Sequence, residues 1–144
     1  MKLTKRGEDC TKKGQIKKHF TQFTNKDKKR IEEIRIQITD NNLPPRTTKH
    51  FNRKNLPITK DDMLDCFKSG DVIEVNYNLD IGDKRLLFRS RKTKSIEGQK
   101  YNLCLVYSID SNKIVTAYYN KVGDNHKSLN QGHYWNNIPI SFDF

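Results

Sequence analysis

The chain has 144 residues, the length of one modest domain with one hydrophobic core. Its 28 Lys and Arg against 17 Asp and Glu give a formal net charge of +11, which favours a polyanionic partner and makes nucleic acid the first candidate. Three widely spaced cysteines argue against a disulfide framework and a metal site, so free thiols in a reducing compartment are expected. Charge rather than an apolar run follows Met1, so neither a signal peptide nor a spanning helix is predicted, and the expected place of action is the cytoplasm.

Two regions are distinguished along the chain. Residues 1–24 are rich in lysine and threonine without a sustained period, which predicts a basic flexible arm. Residues 25–144 are predicted to form a single α+β domain. No basic amphipathic helix with a bulky apolar face is found, so a membrane surface is not an expected partner.

Helical signals come first in this domain. One helix is predicted from Asn25 to Asp40, where isoleucines recur at helical spacing, although three of them also alternate as in a strand. A short helical stretch that opens at Thr47 or Thr48 carries His50. A further helix is predicted from Thr59 to Lys68.

Strand signals follow the helices. Four strands are predicted near residues 71–79, 84–91, 101–110 and 113–120, with a loop of about nine residues from Lys92 to Lys100 between the second and third. Residues 138–144 are a candidate edge strand. The order of elements predicts an α+β fold in which N-terminal helices pack on one face of a four- to five-stranded antiparallel sheet and the other face stays open.

The open face is predicted to be polar. If the strands pair in order, alternation brings a set of polar side chains to one sheet surface: Glu74, Arg85, Arg89, Arg91, Thr116 and Tyr118. Three arginines on one side of a strand favour phosphate binding through paired donors, with ordinary solubilising charge as the alternative. Two explanations of Glu74 are equally good: it is a cross-strand partner of these arginines, or it is a catalytic residue.

Such a surface offers the groups that metal-free RNA cleavage requires. The reaction needs a base for the 2′-hydroxyl, a cation for the phosphorane and an acid for the departing 5′ oxygen. Thr116 would orient a phosphate oxygen or a neighbouring side chain. The candidates are Glu74 or His50 as the base, Arg89 with Arg85 or Arg91 as the cation, and His126 or Tyr118 as the group that supplies a proton.

Other residues are candidates for RNA binding alone. Arg53 and Lys54 follow His50 on the same helix surface, which either binds RNA or is simply solvated. Lys127 and Tyr134 lie in a polar segment rich in Gly and Asn, where an aromatic ring can stack on a base. No cluster of carboxylate, Cys or His ligands is apparent, so neither a metal nor another cofactor is expected.

Four segments carry a resemblance to a known family: Lys49-His50, Leu56–Thr59, Asp71–Glu74 and Lys113–Tyr118. Their order resembles small toxin-related domains of the barnase, EndoU, colicin and RelE ribonuclease superfamily. In those domains a helical histidine precedes a four-stranded sheet that ends in an Ile-x-Thr-x-Tyr strand. The resemblance spans residues 47–120.

This resemblance implies a metal-independent endoribonuclease of toxin type that cuts tRNA or mRNA and is matched by a cognate antitoxin or immunity protein. The weight given to Thr116 and Tyr118 comes mainly from this pattern. The alternative is a non-catalytic nucleic-acid-binding regulator from a mobile element, in which the same arginines grip phosphate.

Overall fold

A computed structural model describes residues 15–43, 58–78 and 82–123. In these ranges five strands form one antiparallel sheet in which each strand pairs with the next one along the chain. The predicted α+β class is confirmed. The strands are β1 (Gln15–His19), β2 (Asp71–Asn78), β3 (Asp83–Ile96), β4 (Gln99–Ser108) and β5 (Lys113–Lys121), and the helices are α1 (Asn25–Gln37) and α2 (Lys60–Ser69).

Both helices begin at threonine caps. The Thr24 hydroxyl accepts from the Asp27 backbone N–H, and the Asp27 carboxylate accepts in return from the Thr24 N–H, which forms a capping box. Thr59 accepts from the Asp62 N–H in the same way at the start of α2. The prediction for α1 was right at its start and too long at its end, because the backbone is already extended at Ile38.

The first strand corrects the prediction for the N-terminal arm. Residues 15–19 pair with β2, and His19 lies opposite Glu74, so a strand precedes the helices. Without β1, the edge of β2 would present unpaired backbone N–H and C=O groups, and pairing with them stabilises β1. The side-chain pattern of residues 15–19 does not indicate this pairing. A buried ion pair between Lys18 Nζ and Asp27 Oδ2, 2.6 Å apart, ties β1 to α1. Residues 1–14 and 138–144 lie outside the described residues.

A long hairpin replaces the loop predicted from Lys92 to Lys100. Strand β3 continues to Ile96, which lies opposite Gln99 in β4. The two residues between them, Glu97 and Gly98, have φ angles of 49° and 78°. Positive φ at both central positions is the geometry of a type I′ turn, whose twist matches that of the flanking strands. Because the residues of this hairpin are mostly polar, they show no apolar alternation, and the sequence analysis did not predict this part of the strand.

Buried apolar side chains form two separate clusters. The larger one joins residues of both helices to residues of the sheet, and at its centre Phe67 of α2 stacks on Phe88 of β3 with ring centroids 4.4 Å apart. The smaller cluster consists of strand residues only: Ile73, Leu87 and Cys104, with Val106 and Tyr118 packed against them. The two clusters therefore lie on opposite faces of the sheet.

A search for membrane-spanning helices was negative for the residues that the structure describes, since neither α1 nor α2 is long and apolar enough to cross a bilayer.

Candidate functional site

Strand register brings five of the six residues predicted for the open face to one side of the sheet. Glu74 lies opposite Leu87, Leu87 opposite Val106, and Val106 opposite Thr116. Directly opposed residues in antiparallel strands project to the same face, so Glu74 and Thr116 share it. We call it the Glu74 face; its polar members include Lys17, His19, Glu74, Asn76, Arg85, Arg89, Asn102, Ser108, Lys113, Thr116 and Tyr118.

The predicted arginine and tyrosine lie in the adjacent row. Arg89 is opposite Cys104, and Cys104 is opposite Tyr118. A bulge in β2 between Val72 and Glu74 adjusts the register here. Val72 packs against the larger cluster, whereas Ile73 joins the smaller one, so the bulge brings Ile73 to the same side as Glu74.

His19 is a member of this face that the sequence analysis did not identify. It lies opposite Glu74 and is only 3% exposed. Its Nδ1 accepts from the Thr21 backbone N–H at 3.3 Å and lies 2.9 Å from the Thr21 hydroxyl oxygen. Burial lowers the pKa of the imidazole, which favours the neutral form. Because Nδ1 accepts, the proton of neutral His19 belongs on Nε2.

Little in the sequence distinguishes His19. The β1 segment contains one apolar residue, Ile16, among polar and charged neighbours, so it lacks the alternation by which a half-buried strand is recognised. The available signal was the turn chemistry after the strand. The His19 side chain and Gln22 form reciprocal caps on the 3-10 helix Phe20–Gln22, and Gln22 Oε1 accepts from the His19 backbone N–H at 2.9 Å.

Glu74 is buried in this setting, with 5% of its surface exposed. Lys17 Nζ lies 3.9 Å from Glu74 Oε2, and both side chains are largely covered. A carboxylate, an ammonium group and an imidazole thus come together where β1 meets β2.

Arg89 is positioned by an amide rather than by a carboxylate. Its Nε and Nη2 donate to Asn102 Oδ1 at 3.2 and 3.0 Å, and Nη2 also reaches the Lys121 carbonyl oxygen at 3.5 Å. Asn102 is itself fixed, because its Nδ2 donates to the Ser90 carbonyl oxygen at 2.8 Å. The guanidinium charge is therefore held in place without being neutralised by these contacts, which is the state that suits anion binding.

The other two predicted arginines bind carboxylates. Arg85 Nε lies 2.5 Å from Asp83 Oδ2, and the Ser108 hydroxyl donates to Asp83 Oδ1 at 2.7 Å. Although burial acts to raise the pKa of Asp83, the hydrogen bonds from Ser108 and Arg85 outweigh it and lower that pKa.

Arg91 donates from Nε and Nη2 to Asp71 Oδ1 at 3.0 and 2.8 Å. Asp71 hydrogen-bonds to the guanidinium and raises the pKa of Arg91, whose side chain is 73% exposed. β3 is irregular between Arg89 and Thr93, so Arg91 stands beyond the regular part of the Glu74 face.

The remaining predicted site residues lie outside the described ranges: His50, Arg53, Lys54, His126, Lys127 and Tyr134. Within the described ranges no three His, Cys, Asp or Glu side chains are grouped as metal ligands. Two buried cysteines are free thiols there, Cys66 and Cys104. Burial raises the pKa of Cys104 to about 11, so this member of the smaller cluster stays protonated at neutral pH.

Comparison of the chain with protein-family models, with curated proteins and with solved structures finds no match.

Proposed function

We propose that the protein is a metal-independent endoribonuclease of toxin type whose site lies on the Glu74 face. The observation that carries the proposal is the union, on one sheet surface, of a carboxylate, an imidazole and an amide-held guanidinium: Glu74, His19 and Arg89. We also propose that α1 and α2 cover the opposite face, because their buried residues belong to the larger cluster.

The side chains divide the chemistry in a defined way. Glu74 removes the proton of the 2′-hydroxyl, which then attacks phosphorus. Arg89 binds a non-bridging phosphate oxygen through Nη1, since its Nε and Nη2 are engaged with Asn102. His19 donates its Nε2–H to an oxygen of the phosphorane while remaining neutral. Tyr118, or His126 from outside the described ranges, supplies the proton to the departing 5′ oxygen.

The remaining predicted residues support binding in this proposal. Thr116 orients a phosphate oxygen, and Arg85 and Arg91 attract the RNA backbone despite their carboxylate partners. His50, Arg53, Lys54, Lys127 and Tyr134 contribute as the sequence predicts. The substrate is tRNA or mRNA in the cytoplasm, and a cognate antitoxin or immunity protein blocks the basic surface.

A second candidate is a non-catalytic nucleic-acid-binding regulator from a mobile element. It is favoured by the low exposure of His19 and Glu74, 3% and 5%, which limits the contact of both groups with RNA. In this case Arg85, Arg89 and Arg91 bind phosphate, and His19 and Glu74 are structural.

Cleavage of a defined RNA in the presence of chelator tests both candidates. Arg89→Ala is expected to lose about 3 kcal/mol of transition-state stabilisation or more, as for removal of a preorganised charge partner. Arg89→Lys should restore only part of it, because an ammonium group lacks the planar fork of donors. Glu74→Gln and His19→Gln should lower turnover far more than RNA affinity.

Lys29→Gln is the matched control, since Lys29 is an exposed cation on α1, outside the Glu74 face. All variants are compared at equal folded fraction. Parental cleavage rates in the Arg89, Glu74 and His19 variants would place catalysis elsewhere in the chain. RNA binding without any turnover by the parent protein would establish the regulator instead.

A further inference from the structure

The hairpin formed by β3 and β4 extends the basic surface beyond the Glu74 face. Of residues 91–100, all except Ile96 are exposed. Four of the ten are cations, Arg91, Lys92, Lys94 and Lys100, against the single anion Glu97. This segment is a two-stranded ribbon rather than a loop, because backbone pairing runs from Thr93 with Asn102 to Ile96 with Gln99 at the two-residue turn.

The cations lie on both faces of the ribbon. Lys94 is opposite Tyr101, a residue of the larger cluster, and its Nζ lies 5.8 Å from the centroid of the Tyr119 ring on that side. Lys100 is opposite Ser95, one position along, and therefore projects from the other face. Lys121, opposite Tyr101, adds a further exposed cation at the base.

The contact that Lys92 makes within the protein is weak enough to be exchanged. Lys92 Nζ lies 3.2 Å from Asp65 Oδ2, but the Lys92 side chain is 78% exposed. An exposed ion pair of this kind contributes about 0 to 1 kcal/mol, so a phosphate can replace Asp65 at little cost.

We propose that this ribbon is a binding element for double-helical RNA. The ribbon docks in a groove of the RNA, between the two phosphate backbones that border it. A two-stranded ribbon with cations on both faces can contact both strands at once. The wide, shallow minor groove of A-form RNA is accessible to such a ribbon, whereas its deep major groove is not. The choice of RNA rests on the proposed function, whose substrate would then be a structured RNA with a helical stem next to the cleaved residue.

Binding of a short labelled RNA duplex, measured by fluorescence anisotropy as a function of salt, tests the inference. The ribbon variant is the triple change Lys92→Gln, Lys94→Gln, Lys100→Gln. The control variant, Lys26→Gln, Lys28→Gln, Lys29→Gln, removes the same charge from exposed positions on α1. Single-stranded RNA and a DNA duplex of the same sequence complete the set of probes.

The ribbon variant is expected to bind the RNA duplex at least about tenfold more weakly at low salt and to lower the salt slope by about 2 to 3, since each lost phosphate contact accounts for nearly one. The control variant should change both quantities by less than half as much. Replacement of the same three lysines by arginine should preserve binding, which separates loss of charge from loss of folding.

Equal weakening by the two glutamine variants would overturn the proposal, as would an effect confined to single-stranded RNA. Equal dependence on the ribbon for DNA would overturn the assignment to RNA. The assay requires no turnover, so failure of the ribonuclease proposal alone would leave the duplex result intact.

Discussion

His19 illustrates how a single buried residue links stability to pH. Its Nδ1 accepts from the Thr21 N–H, and burial lowers its pKa below the ordinary value of about 6.5. The unfolded chain therefore takes up the proton more readily than the folded protein does as the pH falls. The stability associated with neutral His19 is complete above about pH 6.5 and declines as the pH falls below that value toward the lower folded pKa.

We expect His19→Gln to reduce the difference between the melting temperatures at about pH 7.5 and about pH 5.5, because the variant has no imidazole to protonate at this position. Lys113→Gln, which leaves the imidazole of His19 in place, should keep the parental difference. Thermal unfolding followed by circular dichroism measures both. An unchanged pH dependence in His19→Gln would mean that another group is responsible for it.

At the scale of elements, Gly70 determines how closely the end of α2 approaches β3. Its φ angle is −73°, an ordinary value for any residue, so the requirement for glycine comes from contact. A Cβ atom at this position would lie 2.8 Å from the Arg89 carbonyl oxygen and still closer to the Cys66 carbonyl oxygen. The guanidinium of Arg35 also binds here, at 2.7 Å from the Gly70 carbonyl oxygen.

We expect Gly70→Ala to reduce the free energy of unfolding by about 2 kcal/mol or more, because backbone atoms on both sides cannot yield cheaply. Gly82→Ala is the matched control. Gly82 has a positive φ of 66° with open space around it, so its substitution should cost only about 1 kcal/mol of backbone strain. Denaturant unfolding measures both, and a loss for Gly70→Ala no larger than that for Gly82→Ala would contradict the packing argument.

At the scale of the whole molecule, we expect the two parts of the basic N-terminal region, residues 1–14 and 15–24, to have different roles. Residues 1–14 contain five basic and two acidic residues, which favours an electrostatic contribution to RNA affinity. Residues 15–24 include β1, the buried ion pair of Lys18 with Asp27, and His19.

Removal of residues 1–14 is expected to leave the melting temperature near the parental value and to flatten the salt dependence of RNA binding. Removal of residues 1–24 should destabilise the protein strongly, because it leaves Asp27 buried without its ammonium partner, a loss of about 3 to 5 kcal/mol. Thermal unfolding and salt titration of the two truncated proteins distinguish the effects. Equal stability of the two would show that β1 is dispensable for folding.

Hydrophobic periodicity and cap chemistry by themselves determined the α+β class, the start of α1, the position of α2 and four of the five strands. These are local signals: Thr24 and Thr59 cap their helices, and apolar alternation marks a strand that covers a core. The same alternation predicted that Glu74, Arg89, Thr116 and Tyr118 would share a face, because side-chain direction in paired strands follows from register.

The tertiary structure decided which polar segments form strands and which partners the arginines bind, and no local sequence pattern encodes either. The strand β1 and the outer part of the β3–β4 hairpin have few apolar residues and exist through backbone pairing with a neighbouring strand. The partners of the arginines are also decided by three-dimensional proximity: Arg91 of β3 reaches Asp71 of the neighbouring strand β2, whereas Arg89 meets the amide of Asn102. The same proximity brings His19 opposite Glu74, more than fifty residues away along the chain.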